Sequence, residues 1–515
     1  MVGDAQHSCL AGSRISRYSP RMMRVKRIWL TVLLCPPLGL VRLWWRRPGR
    51  VWVRLLASLG ILIYGLVYAA LAIGLLLVST PLDLEWEGGF PPALTFHKAT
   101  PDYEALERHR TATAATAVGK ANVAAVKATN SWPGFRGPNR DGHYTAAPIR
   151  TNWPADGLRP VWRQPIGGGY ASFAIAEGRA YTIEQRRDQE AVTAYDVETG
   201  RELWAHLYPA FFTEWMGGEG PRSTPTYDEG RVYALGATGE FHCLDAATGR
   251  VVWHKNILTE NGAENLHWAQ SASPLVIGEK LILLPGGPNG RSVVAYNKGT
   301  GEVLWAARSD PAAYSSPMRV TLAGEPQLLV PVKDRVLGLK VEDGATLWEF
   351  PWVVQQNNRI IAQPVILSSN RFLLSAGYGT GCAAVEITRN TDGFAAREVW
   401  RNRNLKNKFS SSVFWQGHVY GLDADILTCL EAETGDRKWK DGRYDYGQLL
   451  VANGHLVILC GNGDLALVQA TPERHVEVAR FPLFNGKTWN PPAMAGGRLL
   501  VRNAVEMACF DLSVP

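Results

Sequence analysis

Short runs of alternating apolar and polar residues, separated by glycine-containing turns, fill the chain from about residue 157 onward. Alternation with a period of two predicts half-buried β-strands. One pattern occurs five times: a small residue stands ten positions before a Trp, and a Gly stands four positions before it. The copies are 194–204, 243–253, 295–305, 338–348 and 429–439. Self-similarity with a period of about 40–50 residues predicts a propeller or a solenoid.

Each copy is predicted to be a β-hairpin. In the first copy we expect the Asp196 side chain to accept hydrogen bonds from backbone N–H groups of the turn, and Gly200 to supply the positive φ that a tight turn needs. Trp204 is predicted to pack its ring against the neighbouring unit. The structural residues that we assign to the repeat are Gly200, Trp204, Gly249, Trp253, Gly301, Trp305, Gly344, Trp348, Trp400, Gly435 and Trp439.

Strand-like blocks upstream of these hairpins, such as 223–244 and 411–430, complete four antiparallel strands per unit, which is one propeller blade. A degenerate unit, 446–481, keeps the strands but has Arg480-Phe481 in place of the Trp. The last stretch, 489–512, supplies three strands, and we expect 158–166, which contains Trp162, to add the fourth. The fold class is therefore all-β: an eight-bladed β-propeller over 157–513, with seven blades as the alternative.

Charge is distributed unevenly along the 515 residues, whose net charge is +7. Residues 1–54 contain eleven Lys and Arg and one acid, which leaves −3 for the remainder. A nucleic-acid surface needs basic charge on the folded domain, so we expect no nucleic-acid partner. The apolar stretch 55–79 follows the basic segment and is long enough to span a bilayer. The charge asymmetry predicts a cytoplasmic N-terminus and an extracytoplasmic ring.

Five regions follow from these features. They are a basic cytoplasmic or interfacial N-terminus (1–54), a transmembrane helix (55–79), a tether (80–131), an irregular lead-in segment (132–156) and the propeller (157–513). A second apolar run, 28–45, is broken by Pro36-Pro37, and we interpret it as interfacial or re-entrant, with a first membrane span as the alternative. Met22 is an alternative start, and 111–130 is compatible with a weak helix that lacks an apolar stripe.

The repeats resemble those of the PQQ-like (quinoprotein-type) β-propellers. The segment WPGFRGPNRDG (132–142) is similar to the opening of membrane-tethered BamB-like proteins of that family. The resemblance covers about 380 residues and implies the propeller fold, whereas one fold hosts many activities. The family member BamB is a lipoprotein. Here Leu33-Leu34 before Cys35 lack the small residue of a lipobox, so we predict a transmembrane anchor instead.

The cysteines bear directly on cofactor chemistry. Quinoprotein dehydrogenases of the family imply a vicinal Cys-Cys disulfide over PQQ, acidic and Asn ligands to calcium, and a catalytic Asp. The seven Cys of this chain include no adjacent pair, and Cys243 and Cys429 occupy the small-residue position of the repeat. We therefore expect buried thiols, no metal site of familiar spacing, no catalytic residues and no PQQ.

Polar and aromatic residues just before inner strands are candidates for ligand binding, because ligands bind at the mouth of a propeller's central channel. They are Arg222, His267, Trp268, Tyr314 and Gln363. The alternative is that they seal the channel or cap strands. Three further features each allow a functional and a structural interpretation. The loop with Glu214 and Glu219 faces a ligand or is a long turn, and Asp423 and Asp425 form a calcium loop or a strand turn. The basic run 401–408 binds a phosphate or an acidic partner, or is a solvated loop.

The function predicted from these features is that of a membrane-anchored, extracytoplasmic scaffold that binds envelope proteins, located in the cytoplasmic (inner) membrane with a periplasmic ring. Two alternatives stay open: a quinoprotein-type oxidoreductase that uses PQQ, and a sensor of a small ligand such as a saccharide.

Overall fold

The computed structural model describes residues 35–45, 50–79, 83–85, 93–95, 100–115, 131–154 and 156–514. The predictions for 1–34, including the Met22 start, and for 116–130 lie outside these residues. The chain divides into two compact units, of which the first comprises residues up to Leu84 together with Leu94–His97.

The first unit contains helices α1 (Pro36–Trp45) and α2 (Val51–Ser79) and most of a two-stranded sheet of β1 (Asp83–Glu85) and β2 (Ala93–Thr95). Within α2, Val51–Leu76 is long and apolar enough to cross a membrane. With 29 residues, α2 is about 43 Å long, more than the ~30 Å hydrocarbon core of a bilayer. The two helices meet around buried Ile61, and Trp44 Nε1 donates to Ser58 Oγ over 2.9 Å.

The second unit is built around eight four-stranded antiparallel sheets. Blades 1 to 4 consist of β5–β8 (Ala174–Ala176, Arg179–Arg186, Gln189–Asp196, Glu202–Pro209), β11–β14 (Thr226–Asp228, Arg231–Leu235, Glu240–Asp245, Val251–Asn256), β15–β18 (Leu275–Ile277, Lys280–Leu283, Val293–Asn297, Val303–Ala307) and β19–β22 (Met318–Leu322, Glu325–Pro331, Arg335–Lys340, Thr346–Pro351). A hairpin of β9 (Thr213–Glu214) and β10 (Gly218–Glu219) follows blade 1, and helix α4 (Ile257–Asn261) follows blade 2.

Blades 5 to 7 consist of β23–β26 (Val365–Ile366, Arg371–Ala376, Gly381–Asn390, Gly393–Asn402), β27–β30 (Val413–Trp415, His418–Asp423, Ile426–Glu431, Arg437–Arg443) and β31–β34 (Gln448–Ala452, His455–Leu459, Asp464–Gln469, Glu477–Pro482). A 3₁₀ turn, Gln355–Asn357, precedes blade 5. Strand β3 (His143–Tyr144) adds to blade 7 in parallel with β31.

Blade 8 closes the ring. Its strands β35–β37 (Ala493–Ala495, Arg498–Arg502, Glu506–Asp511) come from the C-terminus, and its outer strand is β4 (Trp162–Pro165). Cys509 lies opposite Trp162 in this pairing, as the small residue lies opposite the Trp in the other blades. The prediction of eight blades with an N-terminal closing strand is confirmed.

The repeat joins successive blades through its tryptophans. Asp196 Oδ1 accepts from Thr199 N at 2.9 Å in the predicted turn, and Ala194 is the cross-strand partner of Trp204. Trp204 Nε1 donates to Ala246 O of the next blade over 3.1 Å, and its ring covers Gly249 there. The same bond to the following blade is made by Trp162, Trp253, Trp305, Trp400 and Trp439.

Two blades depart from this packing. Trp348 donates to Gln327 of its own blade over 2.6 Å, because the next blade has ten-residue outer strands and no glycine turn at the docking position. In blade 7 the residue in the Trp register is Ala479, opposite Leu467, so the assignment of Arg480-Phe481 to that place was wrong. Phe481 instead packs on Gly157, where an added Cβ would lie 2.6 Å from its Cγ.

Helix α3 (Tyr103–Ala115) docks part of the tether on the ring. The Tyr103 hydroxyl donates to Glu219, and Arg110 Nη2 donates to Glu202 Oε1 over 2.7 Å. The helix therefore starts earlier than the predicted 111–130. It has no apolar stripe, and these polar contacts together with the buried Leu106 hold it.

Candidate functional site

A belt of hydrogen bonds links the blades around the central channel. The belt is formed by the residue two positions before the inner strand of a blade. In most blades the side chain of this residue accepts a hydrogen bond from the backbone N–H of the equivalent residue in the preceding blade. Ser172 N donates to Thr224 Oγ1 over 3.0 Å, Thr224 N to Ser273 Oγ over 3.0 Å, and Ser273 N to Ser316 Oγ over 2.8 Å. Gln363 Oε1 accepts from Ser316 N in turn. The belt positions are Ser172, Thr224, Ser273, Ser316, Gln363, Ser411, Gln448 and Pro491, of which Gln448 is already the first residue of its strand.

The residue two places before each belt position faces the mouth of the channel. These mouth positions are Tyr170, Arg222, Ser271, Tyr314, Ile361, Phe409, Tyr446 and Trp489. Seven of the eight line one cavity of ≈200 Å³, and Tyr446 packs on Phe409 with ring centroids 5.5 Å apart. One repeat position in each of seven blades therefore supplies much of the cavity wall.

The wall is largely aromatic. The Tyr170 and Trp489 rings stack with centroids 5.5 Å apart, and Phe409 lies 4.6 Å from Trp489. Trp268, Tyr314, Tyr378 and Phe135 also line the cavity. Burial raises the pKa of Tyr314 to about 12, so its hydroxyl is protonated at neutral pH.

The lead-in segment fills the hub behind this cavity. Arg136 donates to the carbonyls of Ser411 and Ser412, the latter over 2.7 Å. Arg140 donates to the carbonyls of Ser273 and Pro317, each over 3.0 Å, and to Pro274 O. Burial lowers the pKa of Arg136 to about 10 and that of Arg140 to about 9. We call residues 132–144 the plug, because two buried guanidinium groups cross-link the inner strands from within.

Four of the five candidate residues from the sequence lie together in the cavity wall: Arg222, Trp268, Tyr314 and Gln363. His267 is exposed and lies outside the lining, with its ring edge-on to Trp268. Gln363 also has the strand-capping role of the alternative interpretation, because its amide bonds Ser316 N and Ser316 O. Their part in ligand binding stays a prediction.

Arg222 is held by the hairpin β9–β10. Its guanidinium donates to Gly218 O over 2.9 Å and to Gly220 O, and it lies 4.6 Å over the Phe212 ring. Glu214, 3.5 Å from Arg222, accepts from the backbone N–H groups of Met216 and Gly217. Burial lowers the pKa of Arg222 despite its acidic neighbours. The loop with Glu214 and Glu219, which the sequence left open as a ligand-facing loop or a long turn, is an ordered flap, residues 211–220, beside the mouth, and Glu214 and Gly217 line the cavity.

Sequence reasoning missed several residues of the site: Tyr170, Tyr378, Phe409, Trp489 and, at the rim, Lys408 and Lys487. Their amines lie over aromatic faces, Lys487 at 4.7 Å from the Trp489 ring and Lys408 at 5.2 Å from Tyr446. Three of the aromatic residues carry a signal that was available, because they stand at the same distance before a strand as Arg222 and Tyr314. Tyr378 comes from a different loop, and only the fold brings it near.

The other features resolve as structural elements. Asp423 pairs with Lys406 over 2.6 Å and with Lys440, and Asp425 pairs with Arg443 in the turn between β28 and β29. The run 401–408 is not a solvated loop throughout, because Leu405 and Asn407 are buried and the Lys408 amine lies over the Tyr446 ring.

The cavity does not match the residues that the quinoprotein resemblance implies. Its described lining contains Glu214 as the one carboxylate, already engaged by two amides, and no cysteine or Asn. Cys243, Cys382, Cys429, Cys460 and Cys509 are buried free thiols within the blades. Burial raises their pKa values, to about 11 for Cys243 and about 12 for Cys382. In the described part of the chain, no cluster of His, Cys, Asp or Glu is arranged to hold a metal ion.

Comparisons with known proteins agree with this architecture. A family model described as "Outer membrane protein assembly factor BamB" matches residues 188–441. BamB of Bordetella pertussis (strain Tohama I) is 22% identical over 381 residues, which cover 64% of this chain and 92% of that protein. BamB of Shewanella oneidensis is 23% identical over 180 residues, covering 34% of this chain and 41% of that protein.

Solved propellers of two kinds share the fold. The structure of BamB from Moraxella catarrhalis superposes with a TM-score of 0.50 and 15% identity, covering 70% of this chain and 98% of that one. Quinohemoprotein alcohol dehydrogenase from Comamonas testosteroni superposes with a TM-score of 0.52 and 14% identity, covering 80% and 85%. The Trp-docked hairpins and the eight four-stranded blades show the propeller fold of these structures, and the matching family model shows that the repeats of this chain are similar to those of the PQQ-like β-propellers.

Proposed function

We propose that this protein is a membrane-tethered scaffold whose propeller binds envelope proteins at the mouth of its channel. Similarity to outer membrane protein assembly factors over most of the ring supports an assembly role. The observation that carries the proposal is the surface around the mouth. The flap exposes Phe211 and Trp215, the latter to 75%, beside an aromatic cavity, while the plug occupies the hub behind it. Exposed aromatic residues beside a preformed pocket are typical of protein recognition.

The proposal places the ring on the extracytoplasmic side of the cytoplasmic membrane. Support comes from the apolar helix Val51–Leu76 and from the basic residues that precede it. Glu342→Cys, in an exposed turn far from the mouth, provides the test in intact cells. We expect a membrane-impermeant maleimide to label this thiol without lysis, with Cys9→Ser and Cys35→Ser in the background. Labelling only after lysis would contradict the orientation.

The experiment for the scaffold role is site-specific photocrosslinking in the membranes of cells that produce the full chain. A photoreactive residue replaces Trp215 at the mouth or, as the matched control, the exposed Glu342 on a turn at the opposite end of the blades. We expect envelope proteins, identified by mass spectrometry, to crosslink at position 215 and not at position 342. Equal crosslinking at both positions, or none at either, would contradict the proposal.

A quinoprotein-type oxidoreductase is the second candidate, because the fold is shared with such dehydrogenases. The lining described above does not supply the ligand set expected for calcium and PQQ. Titration of the purified chain with PQQ and Ca²⁺ tests this directly. Stoichiometric uptake with quinone absorbance would favour the oxidoreductase over the scaffold, and saturable binding of a neutral sugar would favour the saccharide sensor.

A further inference from the structure

The mouth cavity is large enough to receive a single large side chain. Its ≈200 Å³ is enclosed by rings on several sides, and Phe135 of the plug contributes to its lining. Stacked or edge-on partners 4.5–7 Å apart are the arrangement in which aromatic rings attract one another, and the Tyr170–Trp489 and Phe409–Trp489 pairs already lie in that range. An inserted aromatic ring would find further partners of the same kind.

Several polar side chains of the wall are already hydrogen-bonded within the protein. The Ser271 hydroxyl donates to Tyr314 O over 2.9 Å, and Gln448 Nε2 donates to Phe409 O over 3.0 Å. Ser315 Oγ donates to Gln363 Oε1 over 3.2 Å. A sugar would bring hydroxyl groups that need new partners, and burying them without partners is unfavourable. The wall therefore favours an apolar ring over a saccharide.

The rim of the cavity is positively charged. Lys408 and Lys487 lie at neighbouring aromatic residues, since Lys408 is 5.9 Å from the Phe409 ring and Lys487 is 4.7 Å from Trp489. Arg222 adds a third cation in the wall, whereas the carboxylate of Glu214 is already bound by backbone amides. Cations that flank an apolar cavity attract a ligand that has carboxylates beside its apolar group.

The apolar surface continues beyond the cavity. Phe211 is 51% and Trp215 is 75% exposed on the flap, which is tied to the mouth where the Tyr170 hydroxyl donates to Gly217 O and Lys487 Nζ donates to Met216 O over 2.6 Å. A small molecule that fills ≈200 Å³ would leave these two rings uncovered. A polypeptide segment would reach both the cavity and the flap.

We infer that the mouth cavity takes the aromatic side chain of an acidic, extended segment of a partner protein, whose carboxylates lie near Lys408 and Lys487. This inference rests on the proposed scaffold function and specifies the chemistry of the partner. The flap then covers the flanking residues of the segment, with Trp215 against its apolar side.

Synthetic peptides test the inference with the full chain in detergent. The probe is the acetylated and amidated pentapeptide DEFDE, compared with DEADE and KKFKK by isothermal titration. Burying a Phe ring corresponds to a difference of about ten-fold or more, so we expect DEFDE to bind at least about ten-fold tighter than DEADE. We also expect it to bind tighter than KKFKK and to weaken at high salt.

Variants locate the binding. Lys408→Gln with Lys487→Gln should weaken DEFDE about ten-fold and remove most of its salt dependence, whereas Lys438→Gln, an exposed lysine on the outer strand β30, should change neither. Phe409→Leu should weaken DEFDE and leave the discrimination against KKFKK intact. Equal thermal unfolding midpoints of the variants show that the fold is kept.

Three outcomes would overturn the inference: equal binding of DEFDE and DEADE, loss of binding in Lys438→Gln to the same extent as in the double variant, or displacement of DEFDE by glucuronic acid or PQQ at lower concentration. If position 215 still crosslinks to envelope proteins in these cases, the scaffold function stands and only the peptide chemistry fails. If neither crosslinks nor peptide binding occur, both fail.

Discussion

The contact between each turn glycine and the preceding blade's tryptophan yields a quantitative prediction. Gly301, with φ +76°, lies under the Trp253 ring, and an added Cβ would lie 2.8 Å from the ring atoms Cδ2 and Cε3. Gly324 has φ +78° in a hairpin turn, and an added Cβ would meet no atom within 4 Å. The two sites therefore share the backbone conformation and differ in the ring.

Substitution by Ala separates these two effects. A left-handed conformation costs an L-residue about 1–2 kcal/mol, which both variants share. Forcing a methyl group against a packed ring adds about 1–3 kcal/mol at Gly301 alone. We expect Gly324→Ala to lower the free energy of unfolding by about 1–2 kcal/mol and Gly301→Ala by about 2–5 kcal/mol.

Thermal unfolding of the full chain in detergent measures the difference. For a ring of this size, 1 kcal/mol corresponds to about 1–2 °C in the unfolding midpoint. Trp253→Leu provides the internal control, because it removes the ring and should reduce the extra cost of Gly301→Ala towards that of Gly324→Ala. Equal shifts for the two Ala variants in the wild-type background would refute the docking of Trp253 on Gly301.

Three further predictions concern the plug, the blade interface and the tether. Arg140→Met removes the hydrogen bonds to three hub carbonyls, of which Pro274 O keeps a second donor in the Thr226 hydroxyl, so we expect a loss of about 3 kcal/mol in unfolding free energy, and an unchanged midpoint would contradict the role of the plug. Burial, with smaller effects of His206 and His254, lowers the pKa of His242 to about 3, so the unfolded chain binds the additional proton. The contribution of neutral His242 to the free energy of unfolding is fully present above about pH 6.5, and it is lost by up to ~1.4 kcal/mol per pH unit as the pH decreases towards 3. We expect His242→Phe to make acid unfolding curves less steep in this range. Tyr103→Phe removes the bond to Glu219, and we expect faster amide exchange over 213–219, with exchange in β12 as the unaffected reference.

The fold was largely predictable because its information is local. Gly200, Asp196 and Trp204 lie within nine residues, and the same short pattern recurs, so blade number and the closing strand at Trp162 followed from counting. Departures occurred where a neighbouring blade changed the contact. Trp348 does not pack on a turn glycine of the next blade, because blade 5 has longer strands. Phe481 packs on Gly157, which lies in a segment more than 300 residues away.

The site was only partly predictable. Arg222 and Tyr314 were found because they directly precede Ser-containing strand openings, and the same offset would have found Phe409 and Trp489. The distance of a residue from a strand does not tell whether its side chain is free for a ligand. Gln363 is hydrogen-bonded to the neighbouring blade, and His267 lies outside the cavity lining although it is next to Trp268 in the sequence.

The sequence by itself determined the strands, turns, blade number and the apolar helix, since each depends on residues close together in the chain or on composition. The tertiary structure alone decided that two arginines occupy the hub, that Lys408 and Lys487 each lie over aromatic rings beside the mouth, and that all eight blades contribute to one cavity. Closing a ring brings together one position from every repeat. That convergence is set by the number and curvature of the blades, and no single stretch of sequence encodes it.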